Sequence, residues 1–259
     1  MLIGTLAVFA CLFLLWLLSL RKKDAGIIDV FWGMGFVIMA WAALFELPVK
    51  SLRGWVISGL LSLWGARLSI YLWSRNHGKG EDRRYAAMRA SWGERFGWIS
   101  LITVFMLQGV LIALLSYALA AAIQSPAPWG MLDIIACLVF ALGFLFESIG
   151  DYQLSKFTSQ KENQGRVMDR GLWRYTRHPN YFGDSMLWWG FGLFAIAAQR
   201  YWALYAPALM TLLLLRVSGV ALLEKTIGTR RPGYERYMRT TSAFIPWFPK
   251  NEKASPKES

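Results

Sequence analysis

Apolar residues fall along this chain in long runs of roughly 20, the length a helix needs to cross about 30 Å of hydrocarbon. The runs predict helices at Leu2–Leu20, Ile27–Phe45, Trp55–Trp73, Ile99–Ile123, Trp129–Ile149, Phe182–Gln199 and Tyr201–Leu223. The first has no basic stretch ahead of its apolar core and no clear small-residue cleavage site behind it, so it reads as a helix and not a signal peptide. No internal repeat recurs. The stretch after Lys250 is too rich in Asn, Glu, Lys, Ser and Pro to build a core. The expected architecture is therefore an all-α integral membrane protein. A seven-helix transmembrane domain spans residues 1–250, and a disordered tail follows over 251–259.

Composition narrows the chemistry. Of 259 residues, 56% are hydrophobic and 17% charged, which sets the chain apart from soluble domains and from disordered chains. Cys11 and Cys137 both lie inside apolar runs, so neither a disulfide framework nor a thiolate metal site is expected. His77 and His178 are the only two histidines, too few for a histidine-rich di-iron site, and no metal is expected at all. The basic residues are sharply sorted. Arg21–Lys23, the 75–95 loop, the 156–177 loop and the C-terminal segment hold nearly all of them, whereas Lys50, Arg53 and Arg200 lie on the other side. That bias predicts a cytoplasmic C-terminus, and it accounts for most of the net charge of +12 without any nucleic-acid partner. No feature calls for an obligate protein partner; the expected partners are the bilayer and a small lipophilic molecule.

Ionisable side chains within the runs are costly unless they face a cavity or a partner, which makes each a candidate site residue. Asp29, Arg67, Glu147, Asp184 and Arg216 all fall in the half of their helices nearest the basic loops, while Asp133 falls toward the other face. Trp64, Arg67, Tyr71 and Arg75 recur at three- and four-residue intervals and so share one stripe. Asp29, Trp32 and Gly33 share a face; Glu147 and Asp151 are one turn apart, as are Asn180 and Asp184. This convergence predicts a cavity open to the cytoplasm. The plainer reading is an Asp29–Arg67 clamp that merely joins two helices.

The segment Gly171–Asp184, GLWRYTRHPNYFGD, followed by Tyr234–Pro246, YERYMRTTSAFIP, resembles the C-terminal half of the membrane steroid 5-alpha-reductase and sterol-reductase superfamily. Asp29–Gly33 (DVFWG), Arg67–Tyr71 (RLSIY) and Gly80–Tyr85 (GEDRRY) resemble its bacterial steroid 5-alpha-reductase branch, so the likeness covers most of the chain. The resemblance implies a seven-helix enzyme of a bacterial inner membrane with NADPH in a cytoplasm-facing cavity. It would reduce the carbon–carbon double bond of a 3-oxo-Δ4-steroid or similar enone. An acidic residue on the second helix and a tyrosine on the third polarise the substrate carbonyl in that family, and Asp29 stands in the acidic position. For the tyrosine, an alignment on Arg67 offers Trp64, with Tyr71 two turns on. The family's cofactor contacts carry over to Asn180, Asp184 and Asp151, to Arg83 and Tyr85, and in the tail to Glu224, Arg236 and Tyr237. The Gln-Glu pair of the animal enzymes is absent here.

The residues themselves suit such a cofactor. NADPH carries three phosphate groups, which Lys156, Arg83, Arg84, Arg174 and Arg177 are placed to meet. No GxGxxG follows a strand, so a Rossmann domain is not the route. His178 can donate to a phosphate or amide, Tyr181 stands beside it in the motif, and Asn180 with Asp184 can recognise a carboxamide or ribose hydroxyls. Alternatively, Asn180 caps a helix. Catalysis would use Asp29 as a protonated donor with Tyr71 nearby, whereas a close ion pair with Arg67 would instead keep Asp29 ionised. Trp32 and Trp64 would line a slot for a flat apolar substrate. RHPNYFG also resembles membrane methyltransferases of the isoprenylcysteine carboxyl methyltransferase type, which use S-adenosylmethionine. A non-enzymatic lipid-binding role is the third reading.

Overall fold

The computed structural model describes residues 1–217, 219, 220, 224 and 232–250. Every regular element among them is helical, as the apolar runs require, because a helix satisfies its backbone hydrogen bonds internally where lipid offers none. Five helices are long and apolar enough to cross a membrane: α1 (Leu2–Lys22), α2 (Ile27–Phe45), α3 (Leu52–Asn76), the continuous segment Arg83–Ile123, and α7 (Met131–Ser159). Within Arg83–Ile123, α4 (Arg83–Trp92) leads through a 3-10 turn to α5 (Phe96–Ser100), and a π-helical stretch, Leu101–Met106, joins α5 to α6 (Leu107–Ile123). The sixth expected span is α8 (Pro179–Ala197), whose Asn180, Asp184 and interspersed glycines dilute its apolar character. The seventh is described as Tyr201–Val217, shorter than the others, and contains α9 (Tyr205–Leu212); its remainder and the expected tail over 251–259 lie outside the described residues. A last short helix, α10, covers Tyr234–Thr240.

The chain forms two compact units. One comprises Met1–Asp133 and Leu193–Ala206; the other comprises Ile134–Gly192 and the described residues from Pro207 onward. In the first, α2 is central. Gly33 lies so close to Gly65 of α3 that a methyl group there would meet the Gly65 Cα at 2.8 Å. This close crossing is the small-residue packing by which membrane helices associate. Phe36, Met39, Leu44, Ile57, Leu61 and Trp64 fill the core around it. The chain leaves α1 through Lys23, in the left-handed region (φ 54), and the turn that follows is held by Asp24, whose Oδ1 accepts from the Gly26 amide at 2.8 Å.

In the second unit, α7 and α8 lie against each other along Gly143, Gly183 and Gly190, where any side chain would meet backbone of the other helix. The outer face of α7 exposes Leu138, Leu142, Leu145 and Ile149 at helical spacing, as a lipid-facing stripe does. At 29 residues α7 is roughly 44 Å long, more than the hydrocarbon needs. Its last turns, with Asp151, Gln153 and Lys156, therefore project from the apolar layer.

A buried ion pair closes the first unit at the end away from the basic loops. Arg53 Nε and Nη2 donate to the two carboxylate oxygens of Asp133 at 2.6 and 2.9 Å, and Arg53 also donates to the carbonyls of Ala127 and Pro128. Both side chains are 1% exposed. Removing one partner strands a buried charge. Arg53→Ala should cost about 3–5 kcal/mol in thermal unfolding of the detergent-solubilised protein, whereas Arg53→Met with Asp133→Leu should recover most of it. A single variant as stable as the wild type would show that the pair holds nothing.

Candidate functional site

Each unit carries one polar cluster beside its apolar core. In the first, the cluster joins the α1–α2 turn to the loop that enters α4. Asp29, in the first turn of α2, accepts from Arg84 Nη2 at 2.6 Å on one oxygen and from the Tyr85 hydroxyl at 2.7 Å on the other. Asp82 caps α4 by accepting from the Arg84 amide at 2.9 Å, and the same oxygen takes Arg84 Nε at 3.0 Å. Arg84 thus bridges two carboxylates.

Glu81 completes the lacing. Its Oε1 accepts from the Ala25 amide at 2.8 Å, and both of its oxygens are held by Arg89. Burial alone would push the Glu81 carboxyl up, but the Arg89 and Ala25 hydrogen bonds and the charge of Arg89 outweigh it and hold it below the ordinary glutamate range. Beside this lacing lies a cavity of about 230 Å³ lined by Lys22, Asp24, Gly26, Trp73, His77 and Asp82, among others.

Arg84 and Tyr85 are therefore the partners of Asp29, and not Arg67 and Tyr71. Those two keep the stripe read from their spacing: the guanidinium groups of Arg67 and Arg75 both lie over the Tyr71 ring, at 5.9 and 5.8 Å. Trp32 packs edge-on against Phe36, which in turn meets Trp64, and Trp64 is fully buried in the core of this unit.

In the second unit the motif from Gly171 to Asp184 turns from a short 3-10 helix into α8. Gln153 accepts from the Leu172 amide at 3.0 Å, and Trp173 Nε1 donates to the Gly150 carbonyl at 3.0 Å. Tyr237 of α10 donates its hydroxyl to the Trp173 carbonyl; burial, with Tyr234 beside it, pushes its phenol well up and keeps it a donor. Arg177, 8% exposed, is fully committed inside the protein. Its Nε and Nη2 donate to Glu224 at 2.7 and 3.0 Å, and its Nη1 to the carbonyls of Met238 and Thr241 at 2.9 and 2.6 Å. It is a tie between motif and tail, not a phosphate ligand. His178 Nε2 lies 3.1 Å from Glu224 and its ring stacks on Tyr181 at 5.5 Å between centroids.

Asn180 does not cap α8. Its Nδ2 donates to Asp151 of α7 at 3.1 Å, and its buried Oδ1 has no hydrogen-bond partner among the described residues. Asp184 follows one turn further into α8. Arg83, Lys156, Arg174 and Arg236 are exposed, and the first three have no ion-pair partner among the described residues.

The structure thus gathers Asp29, Arg84 and Tyr85 in one unit, and Asp151, His178, Asn180, Tyr181, Glu224 and Tyr237 in the other. It adds Glu81 and Asp82, which the GEDRRY motif contains without a role assigned to them, and Arg89. Of these, Asp82 had a signal, since an Asp just ahead of a helical run is a capping residue. Glu81 and Arg89 had none.

Helices of spanning length, buried charge pairs and clusters of polar side chains at helix ends define a multi-pass integral membrane protein with a built polar site. The chain belongs to the family described as "Protein of unknown function (DUF1295)", which matches residues 15–241 and is related to the steroid 5-alpha-reductase-like membrane proteins. It is similar to "Uncharacterized protein C594.04c" of Schizosaccharomyces pombe, with 24% identity over 273 residues, covering 94% of this chain and 79% of that protein. No solved structure matches it.

Glu224 makes a pH dependence testable. Burial raises its carboxyl, but His178 and Arg177 outweigh burial and pull it down to about 2, against an ordinary 4.5. A depressed folded value means that the stability from this carboxylate is present in full above about pH 4.5 and is lost as pH falls toward 2. The melting-temperature gap between wild type and Glu224→Gln should therefore be widest near neutrality and close across that window. A gap that stays constant would show that Glu224 is not held as a carboxylate by the motif.

Proposed function

We propose that this protein is an NADPH-dependent reductase of a bacterial inner membrane, with seven spans, a cytoplasmic C-terminus and a cytoplasm-facing cofactor cavity. Its proposed reaction is hydride transfer to the carbon–carbon double bond of a 3-oxo-Δ4-steroid or a similar lipophilic enone. The observation that carries the cofactor reading is the buried, unsatisfied Oδ1 of Asn180. A buried acceptor without a donor costs roughly 1–3 kcal/mol, so it calls for a ligand N–H such as that of a carboxamide. Exposed Lys156 and Arg174, in the same unit as Asn180, supply cations for phosphate groups. Glu224 and Tyr237 support this site by fixing the turn that bears His178 and Asn180. Asp184, Tyr181 and Arg236 remain assigned to cofactor contact.

NADPH, when bound, supplies the hydride. The chain's own task is to stabilise the negative charge that develops on the carbonyl oxygen of the enone. Asp29 accepts from Arg84 on one oxygen and from Tyr85 on the other. The proposed donor to the carbonyl is the Tyr85 hydroxyl, whose single proton turns from Asp29 to the substrate oxygen when the enone binds, while Arg84 keeps Asp29 in place. Tyr85 thereby takes the part expected of Tyr71. Trp32, beside Asp29, is assigned to the apolar substrate.

NADPH should raise the melting temperature of the purified protein more than NADH does, because the 2′-phosphate gains basic partners, and S-adenosylmethionine should do little. Stabilisation by S-adenosylmethionine alone would hand the site to methyl transfer. Asn180→Ala should weaken NADPH binding while lowering stability by only about 1 kcal/mol, the worth of its bond to Asp151.

Asp29→Ala and Tyr85→Phe should keep NADPH affinity but lose on the order of 10²–10³ in single-turnover hydride transfer to a 3-oxo-Δ4-steroid. Full turnover in both variants would remove this cluster from the chemistry.

A further inference from the structure

The last described segment, residues 241–250, is laid along the turn that precedes α8. The Arg177 amide donates to the Ser242 carbonyl at 2.8 Å and the Trp247 amide to the Tyr175 carbonyl at 2.9 Å. Thr176 Oγ1 donates to the Phe244 carbonyl at 2.8 Å, and the Lys250 amide ties the segment back to Thr240 at 2.8 Å. These bonds occupy its inner side. Its outer side presents Ile245, Trp247 and Phe248 at 64, 70 and 77% exposure, three large apolar residues within four positions. Arg239 and Lys250 flank them, both lining a 340 Å³ cavity with Trp247 and Phe248. Pro246 and Pro249 bracket Trp247 and Phe248 and keep this stretch out of a helix.

Its depth relative to the apolar layer follows from its neighbours. The Phe244 ring meets Phe182, in the first turn of α8, edge-on at 5.9 Å. Phe182 meets Phe146 of α7 at 5.4 Å. The lipid-facing stripe of α7 ends at Ile149 and is followed one turn on by exposed Tyr152. The segment therefore sits where the apolar face of α7 gives way to its polar last turns. Tyr175, whose ring meets Phe248 edge-on at 6.0 Å, widens the patch. Tryptophan and other aromatic residues flanked by Lys and Arg at this depth have the composition of a membrane–water interface.

We propose that Ile245, Trp247 and Phe248 form a docking surface for the headgroup–acyl boundary of the bilayer, reinforced by anionic headgroups at Arg239 and Lys250. The bilayer is the one occupant that the chain's own spanning helices guarantee at this depth. Because the same segment supplies the Thr241 and Ser242 carbonyls to Arg177, lipid that seats it also stiffens the turn bearing His178 and Asn180. The proposal does not rest on the reductase reading, and its test uses neither cofactor nor turnover.

The test places one fluorophore on the full chain. With only two cysteines to replace, a Cys11→Ser/Cys137→Ser background takes a label at Phe248→Cys, or at Trp247→Cys if that variant folds poorly, with exposed Glu235→Cys as the reference. The labelled proteins are placed in nanodiscs of phosphatidylcholine, with or without phosphatidylglycerol. Quenching is read with lipids bearing a nitroxide near the headgroup and with water-borne acrylamide.

The label at 248 should be quenched several-fold more than the label at 235 by the lipid nitroxide, and less by acrylamide. Phosphatidylglycerol should deepen the lipid quenching, and Arg239→Glu with Lys250→Glu should abolish that increment. Acrylamide access at 248 equal to that at 235, with no lipid quenching, would overturn the docking surface and leave the patch to a protein partner. Lipid quenching indifferent to phosphatidylglycerol would overturn the anionic component.

Discussion

Hydrocarbon offers no hydrogen-bond partner, so every polar group at membrane depth must find its partner inside the protein. Backbone amides do so as helices, which is why the described regular structure is entirely helical. Charged side chains that leave water, at helix ends and in the turns beside them, do so in pairs: Arg53 with Asp133, Asp29 with Arg84 and Tyr85, Arg177 with Glu224. In each pair the partners lie far apart in the chain, so satisfying the charge also ties distant segments together. The pairs at helix ends thereby set where loops and tail are fastened.

Close approach of helices is the second requirement, because apolar side chains gain nothing by leaving lipid for one another. Glycines answer it. Gly33 against Gly65 brings α2 onto α3 in one unit, and Gly143, Gly183 and Gly190 bring α7 onto α8 in the other. The α7–α8 contact also has a chemical consequence. It sets Asp151 within reach of Asn180, and that bond holds the Asn180 amide with its carbonyl oxygen turned away from any partner among the described residues. An apolar packing device thus orients the group on which the cofactor reading rests.

The motif GLWRYTRHPNYFGD divides its residues between support and exposure. Trp173, Thr176 and Arg177 face inward and bind Gly150, the tail and Glu224, while Arg174 and Tyr175 stay at the surface. Arginine suits position 177 because its fork serves a carboxylate and two carbonyls at once, which a lysine ammonium cannot do in the same geometry. The tail segment that completes this arrangement carries its own apolar patch outward. Tail and motif are therefore one structural unit, although the residues that join them are 61 to 68 positions apart in sequence.

Spanning helices and their approximate bounds were legible in the sequence, since run length and apolarity are local properties that lipid selects directly. The α2 bounds Ile27–Phe45 were read to the residue, as was the stripe from Arg67 to Arg75. Several polar positions that the fold gathers into clusters could also be named in advance: Asp29 because a charge inside an apolar run stands out, Arg84 and His178 from the polar loops, and Tyr85, Asn180 and Glu224 through the resemblance alone. Pairing was not legible. Arg67 was the natural partner for Asp29 by membrane depth, but the α4 loop folds Arg84 and Tyr85 onto it. Arg177 looked like a phosphate ligand until the tail closed around it. In the sequence Arg53 is one of three cations on the far side and Asp133 an acid toward the same face, 80 positions away, yet they form one buried pair. Composition and periodicity are properties of single segments. Which donor meets which acceptor depends on how helices from distant parts of the chain cross, and only the tertiary structure decides that.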